Sequence, residues 1–314
     1  MDGLDRMPRR DLARLRESYR RLNDSFPATF AFRFGRGAGF AAEMLGLLKG
    51  AMSCLHQRIR FALAEGGRSM GVAAFAGFHD YFEPIFPVER LGNINALNVS
   101  AMRGFGRFPP LRRGASALLR RQSGLDLFMM DDLALPPHRL VVPELAIDLD
   151  YWEACALLAR MALVYRADVA EWVAGAVSEW TLPPSYIAVH LRRGDKVSEI
   201  PYANIDAYVR AIDGLRGGET AVAVASDDAR AIDELRRRLE PRFEVLPCSD
   251  TEGRGFDRRR FNALPPEARF AAMRRFLAEL EMLRGGTSFV GQEGSNVSFL
   301  LAMMRAGQGV HRVR

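Results

Sequence analysis

Lysine is almost missing from this chain of 314 residues: of its 44 cationic side chains, only Lys49 and Lys196 are lysines. The other 42 are arginines, a bias that reads as genome composition. The arginines are scattered. No aromatic RNP-type pattern, zinc-finger spacing or basic heptad region accompanies them, which argues against nucleic acid as a partner. A net charge of +6 and a pI near 9.6 still favour anionic ligands in general. Cysteine is scarce too. Cys54, Cys155 and Cys248 stand about a hundred residues apart and form no C-x-x-C pair, so neither a disulfide framework nor a zinc site is expected. Free thiols in a reducing, cytoplasmic compartment are the expectation. No apolar run reaches the ~18 to 20 residues that span a bilayer. The first 22 residues, MDGLDRMPRRDLARLRESYRRL, lack the apolar core of a signal peptide and read as an amphipathic helix. That leaves no transmembrane segment and room only for peripheral membrane contact. Repeats and low-complexity tracts are absent.

What remains is ordinary globular material, 48% hydrophobic and long enough for two domains or one large one. The stretch around which it is organised is YIAVHLRRGDKVSE, Tyr186 to Glu199. It opens as an apolar run broken only by His190, the pattern of a strand buried in a parallel sheet. It passes without a spacer into Arg192, Arg193, Gly194, Asp195 and Lys196. Such charge is costly to bury unpaired, and the C-terminal mouth of a parallel strand is where open α/β sheets bind ligands. Paired guanidinium forks match phosphate, and Lys196 adds a compact ammonium.

Upstream, ATFAFRF (28–34) reads as a first strand. The glycine turn with Gly35, Gly37 and Gly39 follows, and then a helical pattern from 41 to 56. Strand, glycine turn and helix can bring backbone N–H groups to a phosphate, although G-x-G-x-G is not the dinucleotide fingerprint. A second strand is expected at 58–64, an apolar segment at 71–78, an aromatic one at 79–87, and loops with short helices over 92–128. Asp131 and Asp132 lie in the segment after these, and Asp148 and Asp150 form a D-x-D pair. Such a pair can hold a nucleotide-bridging metal, or more simply begin the helix that YWEACALLARMALVY predicts. A further helix over 167–180 ends at Pro183-Pro184, taken as a domain boundary. Beyond it strands and helices alternate: strands at 220–226, 242–247 and 288–291, with SFVG the last clear one, and helices at 205–215, 229–239 and 265–283. GRGFDRRRFN, 253–262, reads as an exposed basic loop. That order predicts a doubly wound parallel sheet. Its strand ends gather three loops, His190 to Glu199, Ser226 to Asp228 and Gly291 to Ser298.

HLRRGDKVSE, the downstream ASDD and FVGQEGSNVSF resemble the fucosyltransferase superfamily built around the H-x-R-R-x-D motif, and the α1,6-fucosyltransferases of the core and nodulation type above all. The α1,2- and protein O-fucosyltransferases are more distant likenesses. The resemblance implies an α/β, GT-B-like fold, two Rossmann-like domains facing across a cleft. It divides them as 1–182, the acceptor side, and 183–314, which binds GDP-fucose. It implies an inverting transfer of fucose to an oligosaccharide or glycoconjugate hydroxyl in a bacterial enzyme, with no metal and no other cofactor. By the same likeness His190 and Arg192 contact the donor diphosphate, and Arg193, Asp195 and Lys196 hold the loop and the departing phosphate. Glu199 is the general base, and Asp227 and Asp228 orient the donor side or the loop. Glu279 corresponds to an aspartate that holds guanine. Ser295, Asn296 and Val297 fall on the last nucleotide loop, Arg260 matches a nucleotide-contacting arginine, and Gly35, Gly37 and Gly39 lie on the glycine turn.

Some features depart from the family. Gly194 stands where eukaryotic α1,6 enzymes have threonine, and Arg-Arg-Gly-Asp is also the α1,2 pattern. Glu199 lies one residue nearer the motif than the likeness expects. Two other readings compete with the leading one: a metal-dependent glycosyltransferase using Asp148 and Asp150, and a non-catalytic nucleotide- or glycan-binding relative.

Overall fold

The computed structural model describes residues 9–32, 39–64, 77–89, 138–193, 201–215, 217–249 and 258–314. Gly35, Gly37, Asp131, Asp132, Gly194, Asp195, Lys196 and Glu199 lie outside the described residues, as do most of 71–78 and all of 92–128. The chain forms two compact units, Met1–Ala38 with Gly46–Val164, and Gly39–Leu45 with Tyr165–Arg314.

In the first unit, helix α1 (Arg9–Asp24) is the amphipathic segment expected at the N-terminus. Tyr19 on it is buried, as is Phe26 just past its end. Strand β1 (Ala28–Phe32), helix α2 (Phe40–Gln57) and strand β2 (Ile59–Ala64) make a parallel crossover. Phe30, Phe32 and Phe61 gather in its core. The edge strand β3 (Val88–Glu89) reaches only Leu63 and Ala64 of β2. Asn23 completes that edge, its side-chain amide donating to the Phe61 carbonyl at 3.0 Å and accepting the Phe61 N–H at 2.8 Å.

The same unit holds a hairpin that periodicity alone did not suggest: β4 (Arg139–Val142) pairs antiparallel with β5 (Ile147–Asp150). The turn between them is a 3₁₀ turn closed by Ala146 at φ +52°. Each strand has four residues, too few for alternation to show. The hairpin decides the role of the D-x-D pair. Asp150 caps helix α3 (Tyr151–Ala162), accepting the Glu153 N–H at 2.8 Å, while the Glu153 carboxylate accepts the Asp150 N–H at 3.1 Å. Asp148 is ion-paired across the hairpin with Arg139, which holds its carboxyl below the ordinary aspartate value. Both acids thus have protein partners.

From Tyr165 the chain stays in the second unit, beginning with helix α4 (Ala167–Glu179), whose buried Val169, Val173 and Ala176 form its apolar side. Pro183-Pro184 therefore lies inside this unit, between α4 and strand β6 (Ile187–Leu191). Helix α5 (Ile205–Asp213), strand β7 (Ala221–Ser226), helix α6 (Ala229–Leu239) and strand β8 (Glu244–Pro247) follow. The basic segment expected as loop becomes, from Arg258 on, the short helix α7 (Arg258–Ala263), ahead of the long helix α8 (Pro266–Gly285). Strand β9 (Ser288–Gln292), helix α9 (Asn296–Met304) and strand β10 (Val310–Val313) close the chain. SFVG is therefore not the last strand. β10 adds a parallel edge to β9, and its four residues carry His311 and Arg312 at the centre, which masks it in an apolar count.

The five strands are ordered β10-β9-β6-β7-β8, all parallel. β6 and β7 are buried along their whole length, as central strands covered on both faces must be. Ile187, Val189, Leu191, Val222 and Val224 meet α5 and α6 through Ile205, Tyr208, Ile232 and Leu235. Leu277, Leu280, Leu300 and Leu301 of α8 and α9 are buried as well. All three cysteines are buried and free. Among the described residues no helix is long and apolar enough to cross a membrane.

Replacing Asp150 by Ala removes the α3 cap and should cost about 1 kcal/mol in denaturant unfolding. Asp148→Ala should shift the midpoint far less, because its ion pair is solvent-exposed.

Candidate active site at the C-terminal sheet edge

A parallel sheet puts the exits of all its strands on one edge, so the chain leaving β6, β7 and β9 must meet there. Side chains stitch these exits together. Ser226 Oγ, at the end of β7, donates to the Leu191 carbonyl at the end of β6 at 2.9 Å. The Ser226 N–H donates to Ser249 Oγ beyond β8 at 3.1 Å. Gln292, the last residue of β9, donates from Nε2 to the Pro201 carbonyl at 2.7 Å. A frame held in this way can present charge in one fixed geometry.

That charge is Arg192. Its Nη1 pairs with Asp227 Oδ2 at 3.2 Å, and the side chains keep only 23% and 16% of their exposure. The other oxygen of Asp227 accepts the Arg193 backbone N–H at 2.8 Å. One carboxylate thus holds both the guanidinium and the backbone that carries it. Arg193 goes elsewhere, as adjacent side chains leaving a strand should. Its guanidinium donates to the carbonyls of Arg192 at 3.1 Å and Ala203 at 3.0 Å. It also lies over the Tyr202 ring, 5.1 Å from the centroid. Arg192 faces the charged side of the edge, and Arg193 braces the backbone.

His190 sits behind Arg192 on the central strand, in register with Ala225 and Gly291. Burial pulls its pKa down to about 4, Asp227 opposing the shift and Arg192 adding to it, so the ring is neutral at physiological pH. Its Nδ1 has no hydrogen-bond partner among the described residues, and neither has the wholly buried Ser298 Oγ. Gly291 lets the Ser298 hydroxyl and the Phe289 ring pack directly against the strand backbone. A Cβ there would stand 2.4 Å from Ser298 Oγ and 2.6 Å from the Phe289 ring. The Ser298 hydroxyl is thus held, unsatisfied, in the first turn of α9 (Asn296–Met304), where backbone N–H groups are also free of intrahelical partners.

The remaining expected residues divide. Ser295 is the N-cap residue of α9 but makes no side-chain cap bond, and it is buried along with Val297, while Asn296 is half-buried. Asp228 caps α6, accepting the Arg230 N–H at 2.9 Å. Glu279 lies half-buried on α8, close enough to Cys248 beyond β8 to help burial push that thiol up to about 12. Gly39 precedes α2, with open space where a Cβ would stand. The next residue, Phe40, packs edge-on against Phe276 of α8 at 5.6 Å, one turn before Glu279. Arg260 is exposed on α7. Sequence reading missed Gln292 and Tyr202. A glutamine closing a buried strand was the one signal available for Gln292, and Tyr202 gave none.

No family model matches the chain, and no curated protein matches it either. Solved structures do. The fucosyltransferase NodZ from Bradyrhizobium is similar at a TM-score of 0.53 and 15% identity, over 90% of this chain and 93% of that one. NodZ alpha-1,6-fucosyltransferase soaked with GDP-fucose gives 0.51 and 15% over 88% and 92%. Its form co-crystallised with GDP gives 0.51 and 15% over 90% and 92%. The fold is the GT-B fold of these fucosyltransferases. That part of the expectation from the motif holds.

The buried neutral His190 has a pH signature. Between about 6.5 and 4 only the unfolded chain takes up this proton, so the fold weakens as pH falls through that window. His190→Gln should flatten the loss measured from pH 7 to pH 4.5 by about 2 to 3 kcal/mol relative to the parent.

Proposed function

We propose that this chain is an inverting glycosyltransferase, moving fucose from GDP-fucose to a hydroxyl of an oligosaccharide or glycoconjugate with α1,6-type linkage and no metal requirement. The observation that carries the reading is the Arg192 guanidinium, fixed by Asp227 at the C-terminal edge of a parallel sheet whose fold matches a fucosyltransferase soaked with GDP-fucose. On this reading residues 183–314 bind the donor and 1–182 the acceptor. In the reaction the acceptor oxygen attacks C1 of fucose, the bond from C1 to the β-phosphate oxygen breaks, and its electron pair leaves with GDP. Positive charge builds on the sugar and negative charge on the phosphate, as in glycoside cleavage.

Each residue has a task in that scheme. Arg192 meets the charge developing on the leaving phosphate. Being already held, its guanidinium needs no reorganisation at the moment of transfer. Lys196 adds a second cation, and Asp195 orders the loop. Glu199 takes the proton of the attacking hydroxyl. His190, the Ser295–Asn296–Val297 turn and the glycines Gly35, Gly37 and Gly39 line the diphosphate. Asp228 fixes the start of α6 beside it, Glu279 accepts from guanine, and Arg260 contacts the nucleotide. The enzyme works in the cytoplasm of a bacterium.

Base selection tests the donor. A carboxylate built to accept from guanine N1 and N2 is left unpaired by bases lacking those donors. GDP should bind at least tenfold more tightly than ADP or UDP by calorimetry, about 1.4 kcal/mol or more. Equal affinities would remove the reading. Turnover of GDP-fucose against a panel of acceptors, with linkage analysis of the product, then separates an enzyme from a binding protein and α1,6 from α1,2.

The two arginines should separate in one assay. Arg192→Lys keeps the charge but loses the fork, and kcat should fall at least a hundredfold with GDP affinity only modestly reduced. Arg193→Lys should spare more of the turnover and lower the melting temperature, because it gives up bridging bonds to two carbonyls. Wild-type turnover in Arg192→Lys beside an inactive Arg193→Lys would reverse the two roles.

A further inference from the structure

Tyr202 is the only aromatic residue among those described that is left substantially exposed, at 37%. It is also among the most firmly held. Its hydroxyl donates to the Arg193 carbonyl. The Arg193 guanidinium lies over its ring, and that guanidinium is itself bonded to the Ala203 carbonyl at 3.0 Å. The residue before it, Pro201, is tied to the end of β9 by Gln292 Nε2 at 2.7 Å. Capping does not explain the ring. Asn204 is the N-cap of α5, and buried Ala203 holds the position before it, where a staple would pack. Burial raises the pKa of its hydroxyl, with Asp227 and Asp228 adding to the shift and Arg192 and Arg193 opposing it.

Gln292 adds an independent observation. A carbonyl only accepts, so the bond to Pro201 fixes the amide with its NH₂ toward that oxygen. Its Oε1 then points along the other branch. The residue is only 4% exposed, and this oxygen has no partner among the described residues. A buried acceptor left unsatisfied costs free energy until something donates to it. An exposed ring and a buried acceptor, both tied to the peptide unit of Pro201 and Tyr202, offer the two kinds of contact that a pyranose makes. Its C–H face packs on the negative face of an aromatic ring, and a hydroxyl on its rim donates.

We infer that Tyr202 and Gln292 form a subsite for the hexose of the nucleotide sugar, Tyr202 packing its apolar face and Gln292 Oε1 accepting from one of its hydroxyls. A 6-deoxyhexose suits such a ring, because a methyl group replaces one polar substituent. The inference rests on the donor reading above and extends it from the nucleotide to the sugar.

Calorimetry on the full chain without acceptor tests it, with GDP and GDP-fucose as the two probes. Tyr202→Ala and Gln292→Met should each weaken GDP-fucose at least fivefold while leaving GDP within twofold. Tyr202→Phe, which keeps the ring, should stay within twofold for both. If the alanine variant fails to fold, Tyr202→Leu carries the same reading. Equal weakening of both ligands would mean that the pair only braces the segment, and would overturn the subsite. So would unchanged GDP-fucose binding, or a Phe variant as impaired as Ala. A parent protein that binds GDP with unmoved ratios in the variants keeps the donor reading and loses only the subsite. A parent that binds no GDP overturns both.

Discussion

The Asp227 carboxylate is the constraint on which the site depends. One oxygen takes the Arg192 guanidinium and the other the Arg193 N–H. It therefore fixes a charge and the backbone carrying it in the same act, and couples the exits of two neighbouring strands. Partly buried ions pay for lost hydration, and pairing returns that only where geometry is good. Here the geometry is supplied by the sheet. The bond from Ser226 to Leu191, one residue earlier on each strand, holds the same two exits together.

Much of this was legible in the sequence where the physics is local and repetitive. IAVHL and AVAVAS read as buried strands because both faces of a central parallel strand must be apolar. The helices from Ile205 and Ala229 were expected over nearly their observed ranges, while the capping bonds of Asn204 and Asp228 came from the structure. The site edge followed from strand order alone. The hairpin at 139–150 and the strand at 310–313 did not show, since four residues cannot establish a period. Gln292 and Tyr202 were invisible for another reason. Gln292 matters through a bond to a residue 91 positions away, and Tyr202 through a bond to a backbone carbonyl, which no residue type announces.

The likeness to NodZ at 15% identity illustrates the same division. A parallel sheet asks only that its strands be apolar and its crossovers right-handed, which many sequences satisfy. Comparison of shape therefore recovers the fold where comparisons of sequence find no match.

The burial of every cysteine has a practical side. Burial raises the thiols of Cys54, Cys155 and Cys248 above their ordinary value, the last two to about 12. Thiolate, the reactive form, is then scarce at neutral pH, and reagents must wait for the fold to open. The folded protein is in effect a silent background for sulfhydryl chemistry. A single cysteine placed on its surface would take a fluorophore or spin label alone, without the native three having to be removed.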